Sequence, residues 1–240
     1  MKLTERDLLI FKMIDKFRVL NSELICFYCG FTSYVSVIRR LRMLSNTNYL
    51  TRYRQDMNHE YVYALTQKSI NLICEPKKSK TNKLIYRKPS KIVVSHIYHE
   101  IIIARIVKKI LEQNDIVIDD IELDREIRPK EYKYTKKIHI PDIRIKKFNT
   151  IIEVELNYKK KTDLFKNISD NHLFYQLWIV PKEKHTLIKR IKDQAQYENN
   201  TTINVITIEE IDSFLFDLQS MKKQLLEENV ELQSKLELSL

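Results

Sequence analysis

The sequence predicts a mixed fold, α+β or α/β, built in two parts with a helical tail. Three observations predict it. The first 75 residues run helix, helix, helix, then two short alternating strands. Residues 92–207 interleave strand-like apolar runs with helical ones. From residue 208 onward, leucine and isoleucine recur every seven positions. The implied divisions are 1–75, a basic connector at 76–91, a second domain at 92–207 and a tail at 208–240.

The first helix is expected over about residues 5–17. Thr4 precedes it, Asp7 lies in its first turn, and Leu8, Phe11, Ile14 and Phe17 recur at helical spacing. Asn21 and Ser22 can cap a second, short helix over Glu23 to Cys29. Gly30, the only glycine of the chain, ends it, because a residue without a side chain enters the left-handed region most easily. Thr32 can cap a third helix running to about Leu44. There Val35, Ile38, Leu41 and Leu44 are read as the inward stripe, and Ser33, Ser36, Arg39 and Arg40 as the outward side. Residues 49–54 and 60–65 alternate like strands, with Gln55-Asp56-Met57-Asn58-His59 as the loop between them. Thr66 caps a closing helix over 67–74.

That order is the order of a winged helix-turn-helix. It directs Ser33, Tyr34, Ser36, Arg39 and Arg40 into a major groove, where arginine reads guanine with a forked hydrogen bond. Arg52 and Arg54 would meet phosphates. A net charge of +10 suits a polyanionic partner, since each neutralised phosphate releases counterions. Residues 76–91 carry seven Lys or Arg and no acid, so Lys77 and Lys78 are read as part of a phosphate-binding strap. The expected partner is double-stranded DNA.

Other classes recede. One glycine leaves no room for a glycine-rich phosphate loop. Cys26 and Cys29 have C-x-x-C spacing, but no second ligand pair follows, so they are read as small core residues. With Cys74 the cysteine count is odd, which argues against a disulfide framework. The segment MKLTERD has no secretory pattern and no apolar run is long enough for a bilayer. The expectation is a cytoplasmic protein with no membrane partner.

In the second domain a helix is expected over Ile92–Leu111. Strands follow at Ile116–Leu123, Lys136–Lys146 and Thr150–Leu156, then a helix at 160–171. A buried strand at 173–180, a helix at 184–195 and a strand at Ile203–Ile206 complete a central mixed sheet. If the strands about Lys147-Phe148-Asn149 form a hairpin, Asp142 lies near Glu153, and Glu153 and Glu155 share the face opposite Ile152, Val154 and Leu156. Convergent carboxylates of this kind can hold Mg²⁺ or Mn²⁺, with Asp142 and Glu153 as the candidate ligands. Read instead as a half-exposed strand, the same residues simply pair with nearby lysines.

Pro141-Asp142 followed by Glu153-Val154-Glu155 resembles the PD-(D/E)xK nuclease arrangement. The resemblance implies a restriction-endonuclease-like sheet with flanking helices and catalytic roles for Asp142, Glu153 and the third position. Glu155 stands where that family has lysine, which favours an inactive or merely metal-binding domain over a working nuclease. Lys159, Lys160 and Lys161 remain candidates for the missing cation, and Glu100 matches an additional acidic position. The chain to about residue 210, with PDIRIKKFNTIIEVELNYKK at its centre, resembles the plasmid replication-relaxation family. That resemblance implies a role on mobile-element DNA, in replication, relaxation or transfer, or their control. A metal-dependent nuclease or relaxase and a protein-binding adaptor are the alternatives.

In the tail, Ile211, Leu218, Leu225 and Leu232 occupy d positions, with Ile208, Leu215, Lys222, Asn229 and Leu236 at a. Leucine at d with one asparagine at a favours a parallel two-stranded coiled coil, and so a homodimer through the C-terminal helix. The first half of that helix, to about Leu218, can equally pack on its own domain.

Overall fold

Local capping decides where the N-terminal helices begin. In the computed structural model, which describes residues 2–54, 60–78, 84–85, 87–131, 139–197 and 202–237, α1 (Glu5–Phe17) opens on Thr4. The Thr4 side chain accepts from the Asp7 N–H while the Asp7 carboxylate takes the Thr4 N–H in return at 2.7 Å. β1 (Leu20–Asn21) leads into α2 (Ser22–Tyr28), whose Leu24 N–H is taken by Asn21 Oδ1 at 3.0 Å. Gly30, at φ +62°, makes the turn to α3 (Tyr34–Asn46), capped by Ser33. β2 (Leu50–Tyr53), β3 (Val62–Leu65) and α4 (Gln67–Ile73) follow. The sheet order is β1-β3-β2, antiparallel throughout. β1 was not expected, since two residues show no alternation. Thr66 precedes α4 as predicted, but its hydroxyl donates to Asn48 O at 2.8 Å instead of capping the helix.

Two short strands lie in the basic connector. β4 (Lys77–Lys78) pairs antiparallel with β5 (Leu84–Ile85), in place of the loose strap expected there. Beyond it, Arg87 forms an ion pair with Asp15 of α1.

The described chain divides into two compact units, Met1–Lys108 and Lys109–Leu240. The division falls inside α5 (Ile97–Gln113), later than the 76–91 join read from composition. The reason is packing. Ile97 buries against Val19, Val62 and Ala64 with Tyr53, Ile92 and Ile101 beside them, so α5 begins by covering the three-stranded sheet. Tyr28 donates to Ala104 O at 2.6 Å and Lys108 pairs with Glu23 at 2.8 Å.

The second unit is built on a five-stranded mixed sheet. Its strands are β6 (Glu122–Leu123), β7 (Ile143–Ile145), β8 (Thr150–Val154), β9 (Tyr175–Val180) and β10 (Ile203–Thr207), in the order β10-β9-β8-β7-β6. β8, β9 and β10 run parallel, and β6 and β7 pair antiparallel at the other edge. α6 (Asp124–Glu131) follows β6 and was not foreseen. α7 (Lys161–Asp170) and α8 (His185–Tyr197) are the crossovers between the parallel strands. Leu164, Ile168, Leu187 and Ile191 of these helices pack on Trp178 and Val180.

α9 (Leu218–Glu237) begins ten residues after the predicted heptads do, because Ile208–Glu210 form a 3-10 turn. Ile211, Leu218, Met221 and Leu225 are buried, and α9 packs on β8 and β9. Three of the expected coiled-coil d positions are therefore spent inside the chain's own unit. The side chains of Asn229, Leu232 and Leu236 lie outside the described residues. No described helix is long and apolar enough to cross a membrane.

Candidate functional site

α3 sorts its side chains by phase. At 100° per residue, Val37, Leu41 and Leu44 fall within about 60° of one another and are fully buried. Val35, Arg39 and Arg42 fall on the opposite side and are exposed, Val35 to 76%. This corrects the inward stripe read from sequence, in which Val35 held the place that Val37 fills. Ser33 and Ser36 are exposed at the start of the helix, where the Ser33 hydroxyl accepts the Ser36 N–H at 3.4 Å. Tyr34 is exposed along its ring, with its hydroxyl 3.0 Å from Ser22 Oγ.

Arg40 is not on that surface. It lies 140° from Val35, at the flank of the buried stripe, and its Nε donates to Asp7 Oδ1 at 2.6 Å while Nη2 meets Oδ2. Asp7 is 1% exposed. Burial alone would raise the Asp7 carboxyl, but the Arg40 guanidinium and the Thr4 N–H and hydroxyl outweigh it and hold it below the usual carboxylate range. The sequence assigned Arg40 to a groove, whereas the fold uses it to tie α3 to the cap of α1.

The sheet supplies the rest of the surface. Arg52 and Arg54 are exposed, with guanidinium carbons 5.4 and 5.1 Å from the centroid of the Tyr61 ring. The Tyr63 phenol of β3 titrates high mainly through burial. Tyr34 and Tyr61 add to that shift, while Arg52 and Arg42 oppose it. One phenol thus feels Tyr34 and Arg42 of α3 together with Arg52 of β2 and Tyr61. Arg42 and Tyr61 were missed in the sequence. Arg42 is seven residues beyond Val35 and becomes visible once the helix phase is right. The loop at 55–59, and the side chains of Lys77 and Lys78, lie outside the described residues.

The carboxylates of the second unit are brought together. The register of β7 on β8 pairs Ile143 with Ile152, which carries Asp142 opposite Glu153. The Val154 N–H donates to Asp142 Oδ2 at 2.9 Å. Glu153 and Glu155 share a face of β8, but that face is not half-exposed. Glu153 is 3% and Glu155 6% accessible, because β8 is the central strand and helices cover it.

Each buried carboxylate has its own partner. His139 Nε2 lies 2.6 Å from Glu153 Oε1, and the His139 N–H donates to Asp170 Oδ2 at 2.7 Å. Lys159, from the turn after β8, forms an ion pair with Glu155. Burial pushes the Glu153 carboxyl up to about 7 and the nearby Asp142 charge adds to it, against the pull of His139 and Lys159. Burial would lower the Lys159 ammonium, but Glu155, Glu153 and Asp142 together raise it. Lys159 is thus the lysine, of the three candidates, that reaches the cluster. His139 fell within the strand expected over Lys136–Lys146, but β7 begins only at Ile143 and His139 lies in the segment before it.

Among the described residues, no three His, Cys, Asp or Glu side chains are gathered as a metal site. Glu100 belongs elsewhere: in the first unit it forms an ion pair with Arg18. At the β6 edge of the second unit's sheet, Arg144 clasps Glu122 at 3.0 and 2.9 Å, across the β6–β7 pairing that sets the two residues face to face. As built, the Asp142–Glu153–Glu155–Lys159 group can store a proton and bind strand to turn.

No family model, curated protein or solved structure matches the chain. The geometry therefore carries the functional argument.

Proposed function

We propose that this chain binds duplex DNA through its N-terminal unit, used as a winged helix. α3 enters the major groove, with Val35, Ser36 and Arg39 towards base edges. Arg42, Arg52 and Arg54 lie along the phosphates. The observation that carries the reading is the division of labour on α3. Val37, Leu41 and Leu44 hold the core and Arg40 holds Asp7, which leaves Val35, Arg39 and Arg42 outward, while Arg52 and Arg54 stand exposed over the Tyr61 ring. An exposed apolar residue amid arginines suits a thymine methyl beside a guanine.

The resemblance to the plasmid replication-relaxation family makes mobile-element DNA the proposed target. The second unit is proposed as a binding and architectural domain. The reason is chemical: Glu155, where a nuclease has its lysine, is neutralised by Lys159, so the cation that would orient water is held in an ion pair. Pairing of two copies through α9 beyond Glu227 is the dimer compatible with the internal packing of Leu218 and Leu225.

The test is fluorescence anisotropy of labelled duplex in rising salt. Arg39→Ala/Arg42→Ala should lose affinity together with part of the salt dependence. Unchanged duplex affinity in that variant would overturn the proposal.

A further inference from the structure

The second unit carries a groove that the duplex reading does not use. It runs between α7 and α8 and is lined by Lys161, Phe165, Arg190, Asp193, Gln194 and Tyr197, with a volume of about 640 Å³. That lies within the roughly 300–1,000 Å³ range of pockets that take small organic groups. Two features distinguish it from an ordinary gap between helices. Tyr197 stands 83% exposed at the end of α8, an aromatic ring with no structural duty in the sheet. Lys161 lies over the Phe165 ring at 5.0 Å from its centroid.

The lining itself holds two cations, Lys161 and Arg190, against one acid, Asp193, and the segment that carries it is basic. Residues 158–197 hold nine Lys or Arg against four Asp or Glu. A second aromatic–cation pair, Lys184 over Tyr158 at 4.8 Å, stands just before the same two helices, with Tyr158 itself exposed.

Exposed rings flanked by cations are what an unpaired nucleic-acid strand requires. Each base offers a π-face to stack on an aromatic, and each phosphate an anion for Lys or Arg. A duplex cannot use such a groove, because its bases are already stacked and paired. We infer that the α7–α8 groove binds single-stranded nucleic acid, with a base on Tyr197 and the flanking phosphates on Lys161 and Arg190. Asp193 would repel phosphate, so it is assigned to a base edge, where its carboxylate can accept an N–H. The site is independent of α3, and its failure leaves the duplex proposal untouched.

The full chain is titrated with short single-stranded DNA carrying 2-aminopurine, and separately with a labelled duplex. Binding should quench the 2-aminopurine fluorescence, as stacking on Tyr197 requires. Tyr197→Ala should weaken single-strand binding about tenfold and abolish the quenching, while Tyr197→Phe retains both. Lys161→Ala/Arg190→Ala should weaken the single strand and flatten its salt dependence, while Arg39→Ala/Arg42→Ala lowers duplex affinity alone. The inference is overturned if the chain has no affinity for the single strand. It is equally overturned if the parent binds without quenching and Tyr197→Ala keeps that affinity, which would mean charge attraction alone.

Discussion

Arg40 and Asp7 form a forked ion pair between α3 and the cap of α1, and the carboxylate in it is almost wholly buried. The pair explains why two adjacent arginines on one helix differ, Arg40 tied to Asp7 and Arg39 exposed. Removing the cation leaves a buried charge without its partner, which costs about 3–5 kcal/mol when both groups are enclosed. Arg40 is partly exposed, so Arg40→Ala should cost about 2–3 kcal/mol, read as a lower urea midpoint. Arg39→Ala should stay within about 0.5 kcal/mol of the parent. If Arg40→Ala were as stable as Arg39→Ala, the ion pair would not be holding α3.

The complementary prediction concerns DNA. Each arginine that neutralises a phosphate contributes close to one unit to the slope of log K against log salt. Arg42→Ala and Arg52→Ala should each reduce that slope by about 1, with a similar loss on any duplex sequence. Val35→Ser should leave the slope alone. It should instead erase the preference for thymine over deoxyuridine at one position of a selected site, because only the thymine methyl distinguishes them. Equal slopes in all three variants would move the duplex off this surface.

Much of the N-terminal unit was legible because its signals are local. Thr4, Asn21 and Gly30 act within a turn of where they stand, and each marks a helix end, whereas the cap of α3 is Ser33, one residue after the Thr32 expected there. The phase of α3 was less legible. At 100° per residue Val35 lies about 120° from Leu41 and 180° from Leu44, whereas Val37 lies within about 40° of both, so strict helical phase selects Val37 and the looser spacing that admitted Val35 misplaced the stripe. In the second unit the order of strands and crossover helices was readable from apolar runs. The burial of Glu153 and Glu155 was not. Charge alternating with isoleucine and valine looks the same on a solvated strand and on one whose polar face is lined by His139 and Lys159. Those partners arrive from a loop and a turn, and only the completed sheet brings them in. The early part of α5 likewise needed the three-stranded sheet in view before its partner was evident.

The tail gives a sharp contrast between neighbours. Leu225 is buried on the second unit, whereas Leu226 is exposed. Leu225→Asp buries a charge where an apolar side chain packed, so it should cost about 3 kcal/mol or more, seen as a lower urea midpoint. Leu226→Asp should be nearly silent. Sedimentation of the same variants tests the dimer. Loss of a dimer in Leu225→Asp with no loss of stability would put Leu225 in a seam between chains, against the packing described.

The proposed binding role of the second unit is tested at Lys159. With Glu155 holding it, supercoiled plasmid should stay intact with Mg²⁺ or Mn²⁺ at any salt that allows binding. Glu155→Gln frees Lys159 from its nearest carboxylate and is the variant most able to gain nicking, by restoring a lysine beside Asp142 and Glu153. Nicking by the parent that vanishes in Asp142→Ala would overturn the assignment of this unit to binding.

Glu153 makes stability depend on pH in a direction opposite to that of most carboxylates. Its carboxyl is raised from 4.5 to about 7 by burial, so between those values the folded chain keeps a proton that the unfolded chain has lost. Stability falls with rising pH wherever the folded state binds more protons. The contribution is therefore fully present below about pH 4.5 and is lost progressively as pH climbs through 7. Glu153→Gln keeps the shape and a hydrogen-bonding edge for His139, but carries no titrating proton. Urea midpoints taken from pH 5 to pH 8 should decline in the parent and stay flatter in Glu153→Gln, with the variant the more stable of the two at pH 8. Parallel curves would mean that Glu153 remains ionised throughout, held so by His139 and Lys159.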